Sequence, residues 1–166
     1  FGLSSAPVNA TVISLTAFDQ GLYRDSGAGN ANITSYAVGV SGTLEIRNFF
    51  VFDLSSITDI IVGATLDLFN PTNGFLTVDS SETYEVVEVT SSITQLLAGN
   101  GGFGNAGGVA IFNDLGSGTV FGLRTILTSE INQVISVELN SNAVSALNSS
   151  TGLFALGGHS ISLSGT

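Results

Sequence analysis

Residues 43–54 read Thr43-Leu44-Glu45-Ile46-Arg47-Asn48-Phe49-Phe50-Val51-Phe52-Asp53-Leu54. Leu44, Ile46, Phe50, Phe52 and Leu54 fall on even positions and line one face of an extended chain. Glu45, Arg47 and Asp53 line the other, together with Phe49 and Val51. Alternation with a period of two marks a strand, because successive side chains point to opposite faces. Apolar side chains on both faces mark a strand that is covered on both sides. The stretch therefore reads as a long central strand, covered on both faces over its C-terminal half.

Working outward, the same period returns. In residues 11–18, Ile13, Leu15 and Ala17 share a face, which predicts a strand at the front of the chain. Residues 20–34 read as a polar, glycine-rich loop. Residues 64–69 alternate until Asn70-Pro71, and Asn73-Gly74 is a turn signal. Residues 83–89 form the next expected strand. Ser91 or Ser92 is placed to cap a short helix over 93–97, which Gly99 ends. An uncharged glycine-rich loop over 99–108 leads to expected strands at 108–112, 119–128 and 133–139. Asn140 or Ser141 opens a second short helix running to Leu147, and strands at 154–156 and 160–163 finish the chain. Eight to ten short strands with one or two short helices predict an all-β fold, an antiparallel β-sandwich of jelly-roll-like form. No linker or tandem repeat divides it, so residues 1–166 are expected to form one domain.

Composition narrows the function. Three Arg and no Lys stand against thirteen Asp and Glu, giving a formal charge of -10. Nucleic-acid binding needs cations to neutralise phosphates, and that class is excluded. Docking on an anionic membrane is disfavoured on the same ground, and no apolar run is long enough to span a bilayer. Charged residues are 10% of the chain, against about 25% in ordinary soluble domains. Hydrophobic residues reach 43% and the mean hydropathy is +0.46, so the surface is built from Ser, Thr, Asn and Gly. Cys, Met and Trp are absent, which leaves no disulfide framework and little to oxidise. A secreted or cell-surface location is the expectation.

Phe1 at the front suggests processing from a longer precursor, and Val8-Asn9-Ala10 has small residues of the kind a signal peptidase cuts after. Residues 1–10 read either as a signal remnant or as a strand that is exchanged between copies. An apolar β-sequence at a chain end needs a sheet to pack in, its own or a neighbour's. Phe1, Leu3, Ile13 and Leu15 are accordingly the expected self-assembly residues.

Catalytic constellations are lacking. His159 is the only histidine and is expected at a surface turn in Gly157-Gly158-His159-Ser160. No Gly-x-Ser-x-Gly elbow accompanies it. Glu82, Glu85 and Glu88, with Asp79, are the densest acidic group. Glu85 and Glu88 point to opposite faces of one strand, so a glycosidase pair would need a partner such as Asp67 from elsewhere. No enzyme is expected and no catalytic residue is assigned. A structural calcium ion is compatible with Asp19 and Asp25, or with Asn113 and Asp114, but no Asp-x-Asp-x-Asp-Gly loop exists and no ligand set follows. The glycine-rich loops lack the Lys of a phosphate cradle. Arg47 is expected to pair with Glu45 and Asp53 across the sheet, and Arg24 and Arg124 to serve similarly.

The motifs Arg47-Asn48-Phe49-Phe50-Val51-Phe52-Asp53-Leu54-Ser55, Ala64-Thr65-Leu66-Asp67-Leu68-Phe69-Asn70-Pro71, Ser81-Glu82-Thr83-Tyr84, Val109-Ala110-Ile111-Phe112-Asn113-Asp114-Leu115-Gly116-Ser117-Gly118 and Phe154-Ala155-Leu156-Gly157-Gly158 together resemble secreted bacterial proteins, common in cyanobacteria, that often carry a PEP-CTERM sorting tail. The pair of strands at 47–55 and 64–68 is also similar to DNRLRE-type cell-surface modules. The resemblance implies a non-enzymatic, exported β-sandwich. Such proteins usually finish with a strand like Phe-Gly-Phe-Ser, and here Phe1-Gly2-Leu3-Ser4-Ser5 followed by Thr11-Val12-Ile13 is similar to it at the opposite end. The expected function is a secreted structural protein, a subunit of an extracellular filament, sheath or surface matrix built from copies of itself by β-strand packing. The alternative is a carbohydrate-binding module contacting extracellular polysaccharide, for which the chain offers no Trp and three Tyr: Tyr23, Tyr36 and Tyr84.

Overall fold

In the computed structural model, residues 10–99 and 103–162 are described. They form nine strands and three helices: β1 (Asp19–Arg24), β2 (Gly29–Asn30), β3 (Gly39–Ser41), β4 (Leu44–Asp53), β5 (Ala64–Asn70), β6 (Ser81–Glu88), α1 (Ile93–Leu97), α2 (Ala106–Asp114), β7 (Val120–Leu127), β8 (Gln133–Leu139), α3 (Ser141–Ser149) and β9 (Leu153–Ser160). The chain is an antiparallel β-sandwich with unequal sheets. The large sheet runs β2-β1-β4-β9-β6-β7, and β5 pairs with β8 in the small one.

The phenylalanine-rich stretch forms β4, the spine of the large sheet. β1 pairs along one edge, from Asp19↔Val51 to Arg24↔Ile46. β9 and β3 share the other edge, β9 from Asn48↔Gly158 to Asp53↔Leu153 and β3 from Gly39↔Ile46 to Ser41↔Leu44. The last strand among the described residues, β9, thus lies in the middle of the sheet, between β4 and β6. Its Gly157-Gly158 pair is a packing requirement. A Cβ on Gly157 would press on Leu115 and Val89, and one on Gly158 would overlap the Tyr84 hydroxyl.

Each face of β4 meets its own core. Phe50 lies among Leu66, Leu68, Val137 and Leu139 of the small sheet, with Tyr84, Val86, Phe121, Leu156 and Ala143 of α3. Phe49 and Val51 lie among Leu96 of α1 and Ile111, Phe112 and Leu115 of α2, with Tyr23 and Ala155. α1 and α2 form a third layer on the side away from the small sheet, whereas α3 packs on the core between the sheets. Tyr23 Oη donates to the Leu96 carbonyl at 2.9 Å and pins α1 in place.

A buried polar chain crosses the core between the sheets. Tyr84 Oη donates to Asn48 Oδ1 at 2.9 Å, and Asn48 Nδ2 donates to the Tyr36 carbonyl at 2.7 Å. Burial pushes the Tyr84 phenol far above its ordinary value, so it stays a donor. Satisfied networks of this kind hold one arrangement, because breaking any link strands a buried polar atom.

Four expectations need correction. The strand expected at 108–112 is helical, within α2. Asn105 caps it by accepting from Gly108 N, and Ile111, Phe112 and Leu115 fall on one helical face against Tyr23 and Phe49. Gly108 meets the Gly27 carbonyl with no room for a side chain, so a residue poor in helix propensity is needed at that contact. The loop expected at 20–34 contains β1 and β2. The strand expected at 11–18 is not formed: residues 10–17 carry no regular structure, and β1 starts at Asp19. Of the two strands expected at the C-terminal end, the one at 154–156 lies within β9 (Leu153–Ser160), whereas of the one at 160–163 only Ser160 belongs to β9, Ile161 and Ser162 are not in a strand, and Leu163 lies outside the described residues.

Candidate self-assembly surface

The first backbone bond of the described chain runs from Phe18 N to Val51 O at 2.7 Å. The cause lies in the register. Asp19 pairs with Val51, so an extended continuation carries residues 11–16 past the end of β4, which stops at Asp53 and turns where Ile57 N bonds Leu54 O. They therefore overshoot the strand that β1 pairs with. Ala17 still packs on the core between the sheets. Ile13 is 52% exposed, Phe18 60% and Val12 90%, and Leu15 is exposed as well. Of the four expected self-assembly residues, Ile13 and Leu15 are thus on the surface in irregular chain rather than in a strand of their own sheet. Phe1 and Leu3 lie outside the described residues.

A second surface lies on the small sheet. Among the described residues β5 pairs only with β8, from Ala64↔Leu139 to Asn70↔Gln133. Further hydrogen bonds reach only its C-terminal end: Tyr36 Oη donates to the Phe69 carbonyl and Asn132 N to the Asn70 carbonyl, each at 2.7 Å, and Asn70 Nδ2 donates to the Glu130 carbonyl at 3.1 Å. On the outer face Phe69 sits opposite Val134 and both are exposed, beside Thr65, Asp67, Ser136 and Glu138. Exposed apolar residues flank β5 at both ends, Ile60 and Val62 before it, Leu76 and Val78 after it. Lysine, a common guard of such edges, is absent from the chain. The clean alternation of 64–69 was legible, and Phe69 on the face of Thr65 and Asp67 was the signal that this outer face carries an apolar group. That β5 is an edge was not readable from that alternation.

The titratable groups are mostly spent inside the fold. His159 stands in β9, buried, not at a surface turn. Its Nε2 donates to Glu85 Oε2 at 3.0 Å, straight across the β6–β9 pair. Arg47 pairs with Glu45 at 2.8 Å as expected, but Asp53 instead accepts from Ser55 N. The Arg47 guanidinium also lies over the Phe112 ring and donates to the Phe112 carbonyl at 3.1 Å, meeting the C-terminal end of α2. Arg124 pairs with Glu130. Glu82 accepts from Ser162 Oγ at 2.5 Å. Asp19 accepts from Asn32 N and Asp25 from Glu45 N of β4, each tying together separate segments of the chain. No cluster of three or more acidic or histidine side chains suited to a metal ion occurs among the described residues.

Asp114 is a latch that sequence reasoning missed, because its partners are more than twenty residues away. It accepts from Thr90 N, Thr90 Oγ1 and Ser91 N at 2.9, 2.6 and 2.7 Å, tying the end of α2 to the entry of α1. Burial works to raise its pKa, and the hydrogen bonds from Thr90 and Ser91 outweigh it, so the carboxyl titrates below its ordinary range. A carboxyl depressed by folding stabilises the protein fully above its unfolded value of about 3.9, and that contribution is lost as pH falls through the folded value. The urea midpoint of the parent should therefore exceed that of Asp114→Asn at pH 6, with the gap closing as pH drops below about 4. A gap that is the same at pH 6 and pH 2 contradicts the latch.

No helix among the described residues is long and apolar enough to cross a membrane. Compared with known proteins, the chain matches no family model and no curated sequence.

Proposed function

We propose that the protein is a secreted structural subunit, and that copies associate into an extracellular filament, sheath or matrix by β-strand addition. The observation that carries this reading is the exposed, strand-patterned segment at 11–18 in a molecule whose β5 edge pairs on one side only. The donor is the front segment of one copy and the acceptor is β5 of the next. A donor and an acceptor at different places on the surface make a head-to-tail contact, which repeats into a fibre unless it closes as a ring.

Energetics assign the side chains the deciding role. Each main-chain hydrogen bond nets about 0.5–1.5 kcal/mol, and ordering a residue costs about 1–2 kcal/mol. Backbone pairing alone comes out near zero. Burying a large apolar side chain adds roughly 1.5–3 kcal/mol, so Ile13, Leu15 and Phe18 tip the balance. Repulsion opposes it, since every copy carries a charge of -10. Screening shortens from about 30 Å at 0.01 M salt to about 10 Å at 0.1 M, so association should strengthen as salt rises.

Light scattering and negative-stain microscopy test the proposal. Regular assemblies that grow with added NaCl are expected from the parent chain. The double variant Ile13→Asp/Leu15→Asp, with an unchanged melting temperature, should associate more than about 100-fold more weakly. Normal assembly by that variant, or a parent chain that stays monomeric at high protein and salt concentration, overturns it. A sugar-binding platform has less support, since Tyr23 and Tyr84 are buried in the two cores.

A further inference from the structure

A cleft of about 440 Å³ opens where the entry of α1, the end of α3 and the start of β9 meet. Ile93, Leu153, Phe154 and Ala155 give it apolar walls, and Ser91, Ser92, Ser149, Ser150 and Glu88 line its polar side. The hydroxyl hydrogens of Ser92, Ser149 and Ser150 are already committed. Ser92 Oγ donates to Gln95 Oε1 at 3.0 Å, Ser149 Oγ to the Ser145 carbonyl at 2.8 Å, and Ser150 Oγ to the Ala146 carbonyl at 2.8 Å. What these oxygens still offer is lone pairs.

Negative charge converges on the same place. Glu88 is half-buried and accepts from Thr119 Oγ1 at 2.7 Å, and no cation stands against it among the described residues. The nine-residue α3 ends at the cleft with no basic residue in its last turn, so the negative end of its dipole is not neutralised. We infer that this cleft binds a small organic cation, an ammonium or guanidinium group on an aliphatic stem. The head group meets Glu88 and the serine oxygens, and the stem lies on Leu153 and Phe154.

Amide NMR titration of the whole chain with n-butylguanidinium tests the inference, with neutral n-butylurea as the control. Saturable shifts confined to residues 88–93 and 149–155 are expected from the cation and not from the urea. Glu88→Gln keeps an acceptor for Thr119 and removes the charge, and should weaken binding roughly tenfold. Ser149→Lys places a competing ammonium at an exposed position of the rim and should abolish it. Shifts spread over the whole acidic surface, equal binding of the urea, or an unchanged affinity in Glu88→Gln overturns the inference. The readout is local and independent of assembly, so it stands or falls apart from the strand-addition proposal.

Discussion

Gly158→Ala should lower stability by about 3–5 kcal/mol, the sum of an overpacked core and a broken buried hydrogen bond. The added methyl group would lie inside the van der Waals sphere of Tyr84 Oη and 2.5 Å from Asn48 Oδ1. Neither neighbour can yield cheaply. Tyr84 lies in the core between the sheets, and Asn48 is held at both ends of its amide. Moving the phenol strands two buried polar atoms, and moving β9 breaks its ladders with β4 and β6 together. Gly63→Ala is the control, because a Cβ there meets nothing within 4 Å. Urea unfolding measures both. A loss below about 1 kcal/mol for Gly158→Ala would mean that the polar chain is not a fixed part of the core.

Phe49→Ala should cost about 3–5 kcal/mol, the range for deleting a fully buried aromatic side chain. Phe49 is 0% exposed and stands between the large sheet and the helices. Its ring lies 6.0 Å from that of Tyr23, and Gly21, against which the ring packs, has no side chain that could move into the hole. The cavity would open under α1 and α2, which depend on this face for their position. Amide exchange in those helices should therefore accelerate more than in β5 and β8, which pack on the opposite face. Equal acceleration in both layers would contradict the division into two cores.

Strand identity was legible where one face was buried and the other wet. Residues 64–69 and 133–139 alternate except at Phe69 and Val134, and they are β5 and β8 almost to the residue. The caps were readable to within one residue, as Ser91 or Ser92 and as Asn140 or Ser141, since a short polar side chain before an apolar run has few other uses there; the structure uses Ser92 and Asn140. α2 was hidden because Gly107 and Gly108 sit in its first turn, where tertiary packing against Gly27 overrides propensity. β1 was hidden by its own polarity: Asp19, Gln20 and Arg24 read as loop, yet β4 supplies a complete partner edge. The front segment shows the reverse. Its alternation is sound, but a strand exists only beside another strand, and register carries residues 11–16 past the end of β4. The surface was therefore half legible. Ile13 and Leu15 could be named from pattern, whereas the edge of β5 depends on sheet order.

Hydrogen exchange at the amides of residues 11–18 and 64–70 is the most direct measurement, made on the parent chain at low salt and after assembly at high salt. The result expected is fast exchange at 11–17 in the dispersed protein and strong protection of alternate amides in both segments once copies associate. Assemblies in which residues 11–17 exchange as fast as in the dispersed protein would contradict strand addition as the contact between copies.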